Sequence, residues 1–259
     1  MSQMDYAVSA RYYDGAYAAK KDLTDLPFYL EEARQSGGPV LELACGTGRI
    51  ALPIAREGIE ICGVDQAPAM LEILRAKLQT EEPAVGQRFE AVEGDMRTCR
   101  LGRRFALVMI PFRAMQHMYA IEDQVAALET AKAHLAPGGR LVFDVFLPRL
   151  DKLYGGLGEE HFELEWRQDG RRIRRFFCKD SNDVLGQSFS GRFIFRVYEG
   201  EELVAEEEDR LKMGFYTYPQ LRLLFKHVGL EVLAEYGDFD RRPLGPEGPQ
   251  MIFSLRAAG

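Results

Sequence analysis

The chain has 259 residues, 46% of them hydrophobic, enough for one large core or a core with a smaller subdomain. Its 40 acidic residues outnumber its 33 Lys and Arg, giving a formal charge of −7; such a surface repels phosphate backbones, so nucleic acid is not an expected partner. Cys45, Cys62, Cys99 and Cys178 lack C-x-x-C spacing, and no signal region or run of about eighteen apolar residues is present, so structural zinc, a disulfide framework and a membrane segment are not expected and a cytoplasmic location is.

Strand-like and helix-like segments alternate to about residue 147, the pattern of a parallel sheet with helices on both faces. Residues 22–36 carry Leu23, Leu26, Leu30 and Ala33 on one helical face. Residues 39–44 read as the first strand, 48–57 as a helix ending near Gly58, and 59–64 as the second strand. Pro68 opens a helix bearing Met70, Leu71, Leu74 and Leu78. Residues 88–92 and 105–110 are the third and fourth strands, the latter apolar enough to be buried on both faces. A helix then runs to about Leu135, Pro137-Gly138-Gly139 stops it, and 141–146 is the fifth strand.

From 150 to 216 the period changes to two. Phe162, Leu164 and Trp166 alternate with polar residues, as do Phe193, Phe195 and Val197, and Asp169-Gly170 and Glu199-Gly200 mark turns. The expectation is an antiparallel β insertion of about four strands whose apolar face closes over the ligand-binding edge of the main sheet. Thr217 and Gln220 form a capping-box pattern before a helix ending at Gly229, and two last strands follow at 230–236 and 251–255. The expected organisation is 1–149 as a ligand-binding core with an N-terminal helical cap, 150–216 as the insertion, and 217–259 completing the core.

The most telling stretch is Val40-Leu-Glu-Leu-Ala-Cys-Gly-Thr-Gly-Arg-Ile-Ala51, a strand, a glycine turn and a helix, which brings a ligand against bare backbone at a helix N-terminus. Glu42 lies four positions before Gly46, and a carboxylate there favours a cationic ligand over a pyrophosphate. Gly46-x-Gly48-x-x-Ala51 with Asp65 about 20 residues on also satisfies a dinucleotide fingerprint, so a nicotinamide-dependent oxidoreductase is the rival reading. Asp65, at the end of the second strand, can accept both hydroxyls of a ribose or cap the helix that follows.

The ordered set Glu42-x-Ala44-x-Gly46-x-Gly48, Gly63-Val64-Asp65, Glu93-Gly94-Asp95-Met96 and Pro137-Gly138-Gly139-Arg140-Leu141 resembles the class I S-adenosylmethionine-dependent methyltransferases, over roughly residues 10–147 and more loosely over the last forty. The resemblance implies a Rossmann-like, doubly wound, seven-stranded sheet and S-adenosyl-L-methionine as cofactor. Carried onto this sequence, it implies that Gly46 and Gly48 admit the methionine part, with Ala44 beside them. Glu42 receives the ammonium, Asp65 the ribose hydroxyls, and Asp95 the adenine amino group. Gln66, Met70, Met96 and Ile110 line the nucleoside. Arg11-Tyr12-Tyr13-Asp14 resembles the N-terminal Tyr-Asp segment that caps the cofactor in small-molecule members, with Tyr13 facing cofactor or substrate and Tyr17 roofing the site.

In doubly wound folds the end of the fourth strand, Ile110-Pro-Phe-Arg-Ala-Met-Gln-His117, faces the reacting centre. It holds no Asp or Glu, which disfavours the metal-dependent catechol type, and it departs from the Asn/Asp-Pro-Pro-Tyr/Phe signature of nucleic-acid amino methyltransferases. Arg113 is a candidate for a substrate carboxylate or a surface ion pair, and His117 for a general base or a structural residue. Tyr13, Tyr17, Phe112, Phe146 and Trp166 are candidate aromatic walls with cation–π help to a sulfonium. The Arg171, Arg172, Arg174 and Arg175 run is balanced by Glu201, Glu202, Glu206, Glu207 and Glu208, which points to cross-strand ion pairing. The resulting expectation is metal-independent methyl transfer to a small-molecule amine or hydroxyl, with a slight lean to nitrogen because an amine needs no base. A silent methyltransferase-like binding module is the third reading.

Overall fold

The computed structural model describes residues 6–20, 23–149 and 153–259. The chain divides into two compact units, Thr24–Pro148 with Phe215–Gly259, and Met1–Leu23 with Arg149–Gly214. The first is an α/β unit and the second an antiparallel β unit.

The α/β unit is built on a seven-stranded sheet in the order β10–β11–β5–β4–β1–β2–β3. β1 (Val40–Leu43), β2 (Ile61–Asp65), β3 (Phe89–Glu93), β4 (Phe105–Ile110) and β5 (Leu135–Phe146) are parallel, and β11 (Gln250–Ala257) runs antiparallel to both β5 and β10 (Leu230–Tyr236). β1 lies between β2 and β4, so the strand order reverses at β1/β4. The crevice beyond the carboxyl ends of those two strands is where open α/β sheets bind ligands.

Strand alternation sorts the core onto two faces. Leu41, Leu43, Val108, Ile110, Phe143 and Val145 pack with α6 (Ile121–Ala133) and α7 (Tyr218–Val228). Val40, Leu107, Met109 and Val142 pack with α2 (Asp25–Ser36), α3 (Ala51–Arg56) and α4 (Pro68–Thr80). The same parity places Glu42 and Asp144 on the α2–α3 face. α7 forms as its sequence predicts: Thr217 and Gln220 close a capping box, Gly229 ends the helix at φ 68°, and Leu221, Leu224, Phe225 and Val228 are buried. Each such burial stabilises by about 1.5–3 kcal/mol relative to exposure.

Some boundaries move. α3 has six residues where ten were expected, and α5 (Pro83–Gly86) is an extra single turn. β5 begins at Leu135: Phe105 pairs with Leu135 and Leu107 with Arg140, so Ala136–Gly139 is an irregularity inside the strand and not a break before it. Gly139 fits there because a Cβ would stand 2.8 Å from the Phe105 carbonyl oxygen.

The β unit is a four-stranded antiparallel sheet of β6 (Glu160–Gln168), β7 (Arg171–Asp183), β8 (Ser188–Glu199) and β9 (Glu202–Gly214). Asp169 and Gly170, at φ 50° and 79°, make the β6–β7 turn. Part of the apolar face closes over α1 (Ala7–Ala18): Trp166, Ile173, Phe195 and Val197 bury Ala16 with Tyr12 packed against them. The Tyr12 ring stacks on Phe195 at 4.8 Å, and Gly15 admits Trp166, whose Nε1 would lie 2.5 Å from a Cβ. Trp166 is therefore a core residue of this unit.

Candidate active site

At the end of β1 the backbone turns left-handed three times, at Ala44 (φ 62°), Gly46 (54°) and Gly48 (78°). Only Ala44 pays the side-chain penalty for that conformation. The glycines differ in what they permit. A Cβ on Gly48 would meet Leu74 Cδ1 at 2.6 Å, so Gly48 allows α4 to approach. A Cβ on Gly46 would meet no protein atom within 4 Å, so its bare backbone faces open space. Glu42 is 3% exposed, and its Oε2 has no hydrogen-bond partner in the protein. Burial pushes its carboxyl well above the usual range; Arg49 pulls it back, and the nearby carboxylates Asp65 and Asp25 add to the rise. An unsatisfied buried acid is costly, and a cation is the partner that relieves it.

Asp65, at the end of β2, ties the two strand ends together. Its Oδ2 accepts the Gly46 N–H at 2.7 Å and its Oδ1 the Ala67 N–H at 2.8 Å. It therefore caps the approach to α4 and, in addition, braces the glycine turn. A carboxylate offers about four acceptor sites and three N–H groups, of Gly46, Ala67 and Gln66, use them here, so acceptor capacity remains for a ribose hydroxyl. Burial raises its pKa against the opposing effect of N–H bonds from Ala67, Gly46 and Gln66. Gln66 follows it, half-buried, and Met70 is buried on the first turn of α4.

Asp95 is already engaged. Arg97 holds it through both carboxylate oxygens, with Nε at 3.0 and 2.9 Å, and reaches Asp123 at 2.9 Å with Nη1. Burial works to raise the Asp95 pKa, but the Arg97 side chain, its N–H and its charge hold it below the ordinary value. Any adenine contact shares the carboxylate with this guanidinium. Met96 beside it is 8% exposed.

Beyond β4, Phe112 (φ 57°) and Arg113 (φ 64°) are consecutive left-handed residues without the excuse of glycine. The sequence reading missed what holds them. Asp144, on β5 and 1% exposed, accepts the Phe112 N–H at 2.7 Å on Oδ1 and the Arg113 N–H at 3.1 Å on Oδ2. The Tyr29 hydroxyl of α2 donates to Oδ1 at 2.6 Å. Burial raises Asp144 to about 6; Tyr29, Arg113 and the Phe112 N–H oppose the rise. Arg49 stacks its guanidinium 4.5 Å from the Phe112 ring while pairing with Asp25 of α2. Arg113 lies over Phe146 at 5.8 Å. His117 is half-buried at the end of a 3₁₀ turn (Ala114–His117), in which Gln116 accepts the Phe146 N–H at 3.0 Å. Tyr216 donates towards the carbonyl oxygens of Met115 and Met118. Ile110 is fully buried at the strand end.

The α/β unit thus gathers Glu42, Ala44, Gly46, Gly48, Asp65, Gln66, Met70, Asp95, Met96, Ile110, Arg113 and His117 at or beside the carboxyl ends of four strands. Tyr13 belongs to the β unit, on α1, with its ring 4.4 Å from that of Tyr17, over which Arg175 lies at 5.5 Å. Among the described residues no group of three His, Cys, Asp or Glu side chains stands ready to hold a metal.

Residues 40–139 match the family described as a methyltransferase domain. Those residues carry a methyltransferase domain, of the class I S-adenosylmethionine-dependent kind. The match spans the glycine turn, Asp65, Asp95 and the β4 loop. It displaces the oxidoreductase reading, which a buried, unsatisfied Glu42 beside the turn also opposes. The cypemycin N-terminal methyltransferase of a Streptomyces species is 26% identical over 226 residues, 85% of this chain and 83% of the relative. The dTDP-3-amino-3,4,6-trideoxy-alpha-D-glucopyranose N,N-dimethyltransferase of Streptomyces venezuelae is 30% identical over 129 residues, 49% of this chain and 50% of the relative. Among solved structures, the CcbJ methyltransferase of Streptomyces caelestis superposes with a TM-score of 0.80 at 25% identity, covering 99% of each chain. The methyltransferase domain's cofactor is S-adenosylmethionine, and the residues present suit it: an orphaned buried carboxylate for an ammonium, an open glycine backbone, and a second acid with acceptor capacity left for hydroxyls.

Proposed function

We propose that this enzyme methylates an amino nitrogen of a small molecule without a metal ion. The observation that carries the reading is the make-up of the β4 loop. It contributes backbone, the Phe112 ring, Arg113 and His117, and no carboxylate that would bind a metal or strip a proton from a hydroxyl. The relatives named as acting on peptide or sugar amines support the same class.

The bound cofactor supplies a methyl group already activated on its sulfonium. The protein's share is to bind, orient and exclude water. Glu42 receives the cofactor's ammonium, the Gly46–Gly48 turn its backbone-facing part, Asp65 its ribose, and Asp95, Met96, Met70, Gln66 and Ile110 its base. Ala44 shapes the turn. Phe112 and Phe146 offer ring faces to positive charge. Arg113 anchors an acceptor carboxylate or phosphate, and His117 takes up the proton that the nitrogen sheds once it is methylated. Charge disperses as methyl passes to a neutral amine, so an apolar, aromatic surround favours the transition state over solvent.

The test pairs amines with their hydroxyl counterparts. Amino sugars, amino-sugar nucleotides and peptides with free N-termini are incubated with methyl-labelled S-adenosylmethionine beside matched hydroxy compounds. Label is expected on the amines alone. Label confined to the hydroxy compounds overturns the N-acceptor reading. Tight cofactor binding with label on neither set favours a silent binding module.

A further inference from the structure

Helix α2 does more than cover the sheet. Two of its residues reach the strained β4 loop by separate routes. Tyr29 donates to Asp144, which accepts the N–H groups of Phe112 and Arg113. Asp25 pairs with Arg49, whose guanidinium lies on the Phe112 ring. Two successive left-handed residues turn their N–H groups to one side, a backbone concavity that takes an anion. Here the anion is the chain's own. Without it, the N–H groups of Phe112 and Arg113 would lose these acceptors, and the left-handed conformation there would lose that support.

We propose that Asp144 is a positioning residue for the acceptor side of the site: its carboxylate, oriented by Tyr29, fixes the Phe112–Arg113 turn at the β1/β4 crevice. This assignment rests on the methyltransferase reading only for what the crevice does; the clamp itself is a property of the fold. The titratable groups around Asp144 are Asp25 and the neutral Tyr29 of α2 and Arg113 of the loop, while Glu42 of β1 faces Tyr29 and Arg49 balances Glu42. Asp144 is held to about 6 by burial, so the clamp keeps its full charge above neutrality and releases it in mild acid. Protonation removes an acceptor from one of the two N–H groups and frees the turn.

The clamp is read without knowing the acceptor. In the wild-type protein saturated with S-adenosylhomocysteine, the amide proton shifts of Phe112 and Arg113 are followed from pH 5 to 8. Both are expected to titrate together with a midpoint near 6, and the titration is expected to vanish in Asp144→Asn. Tyr29→Phe should move the midpoint while leaving the two amides coupled. In Asp144→Asn the affinity for S-adenosylhomocysteine is expected to stay within twofold of wild type, with hydrogen exchange at Phe112 and Arg113 at least tenfold faster. Amide shifts that do not titrate, or exchange unchanged in a folded Asp144→Asn, overturn the clamp. A working clamp in a protein that methylates no amine would instead count against the N-acceptor reading alone. Should Asp144→Asn fail to fold, the wild-type titration and Tyr29→Phe decide the matter.

Discussion

In the β unit most acids meet their partners at the surface, and its buried charges include two bases, Arg175 and Lys179. Arg171 pairs with Glu199, both side chains 55% exposed, Arg174 with Glu165, and Arg196 with Glu160 and Glu206. Its one buried acid among the described residues, Asp209, receives the Ser9 N–H. In the α/β unit Asp25, Glu32, Glu42, Asp65 and Asp144 are each 8% exposed or less. Glu32 spans Arg140 and Arg241, and the other four converge on the β1/β4 crevice. Burying acids costs stability, and cost concentrated at one crevice marks the place where charge is used. The β unit stands mainly on packing; the α/β unit spends some of its stability on a binding edge.

Trp166→Ala strikes the packing side of the contrast and should have the largest effect. Trp166 is 7% exposed at the centre of the α1–sheet cluster. Loss of about 3–5 kcal/mol is expected from large-to-small truncation in a core, measured by urea unfolding followed by circular dichroism. A loss near zero would show that α1 is not held there.

Glu42→Gln strikes the other side. Burial raises Glu42, so the protonated carboxyl's contribution to stability is full below its unfolded pKa and is lost as pH rises through the higher folded value. Gln removes that dependence. The variant should melt at or above the wild-type temperature at pH 8 and with little difference below pH 4.5, the ordinary value. Its cofactor affinity should nonetheless fall about tenfold or more, the scale of a hydrogen bond to a charged group. A variant both less stable and equal in affinity would make Glu42 a structural acid.

Arg171→Ala should do least. An exposed pair is worth below about 1 kcal/mol, so neither calorimetric melting nor cofactor affinity should move measurably. A larger effect would mean that the arginine run has a role beyond the solvated sheet face.

The fold was legible where signals are local. Apolar runs at Val40–Leu43 and Phe105–Ile110, the Thr217/Gln220 box and the alternation around Phe193–Val197 all became the expected elements. The start of β5 was not, because Pro137-Gly138-Gly139 reads as a stop unless the Phe105 partner across the sheet is known. Candidate site residues in motifs, such as Glu42 and Asp65, could be proposed from order alone. Asp144 could not: it sits in an apolar run, Leu141–Phe146, and its meaning lies in Tyr29 and Phe112, 115 and 32 residues away. The one available clue was that lone carboxyl inside an otherwise apolar strand. Likewise, Asp95 looked available until the Arg97 fork two residues on was seen folded back over it. The basic run did find acids, but Arg174 and Arg175 pair with Glu165 and Glu163 of β6 instead of the later glutamates.

The account stands on where the cofactor sits. A crystal structure of the protein with S-adenosylhomocysteine tests this most directly. The account predicts the amino group of its homocysteine part at Glu42 Oε2, its backbone-facing part along Gly46–Gly48, and its ribose hydroxyls on Asp65. Density for the nucleoside elsewhere, or a ligand in the crevice with Glu42 still unpartnered, would contradict it.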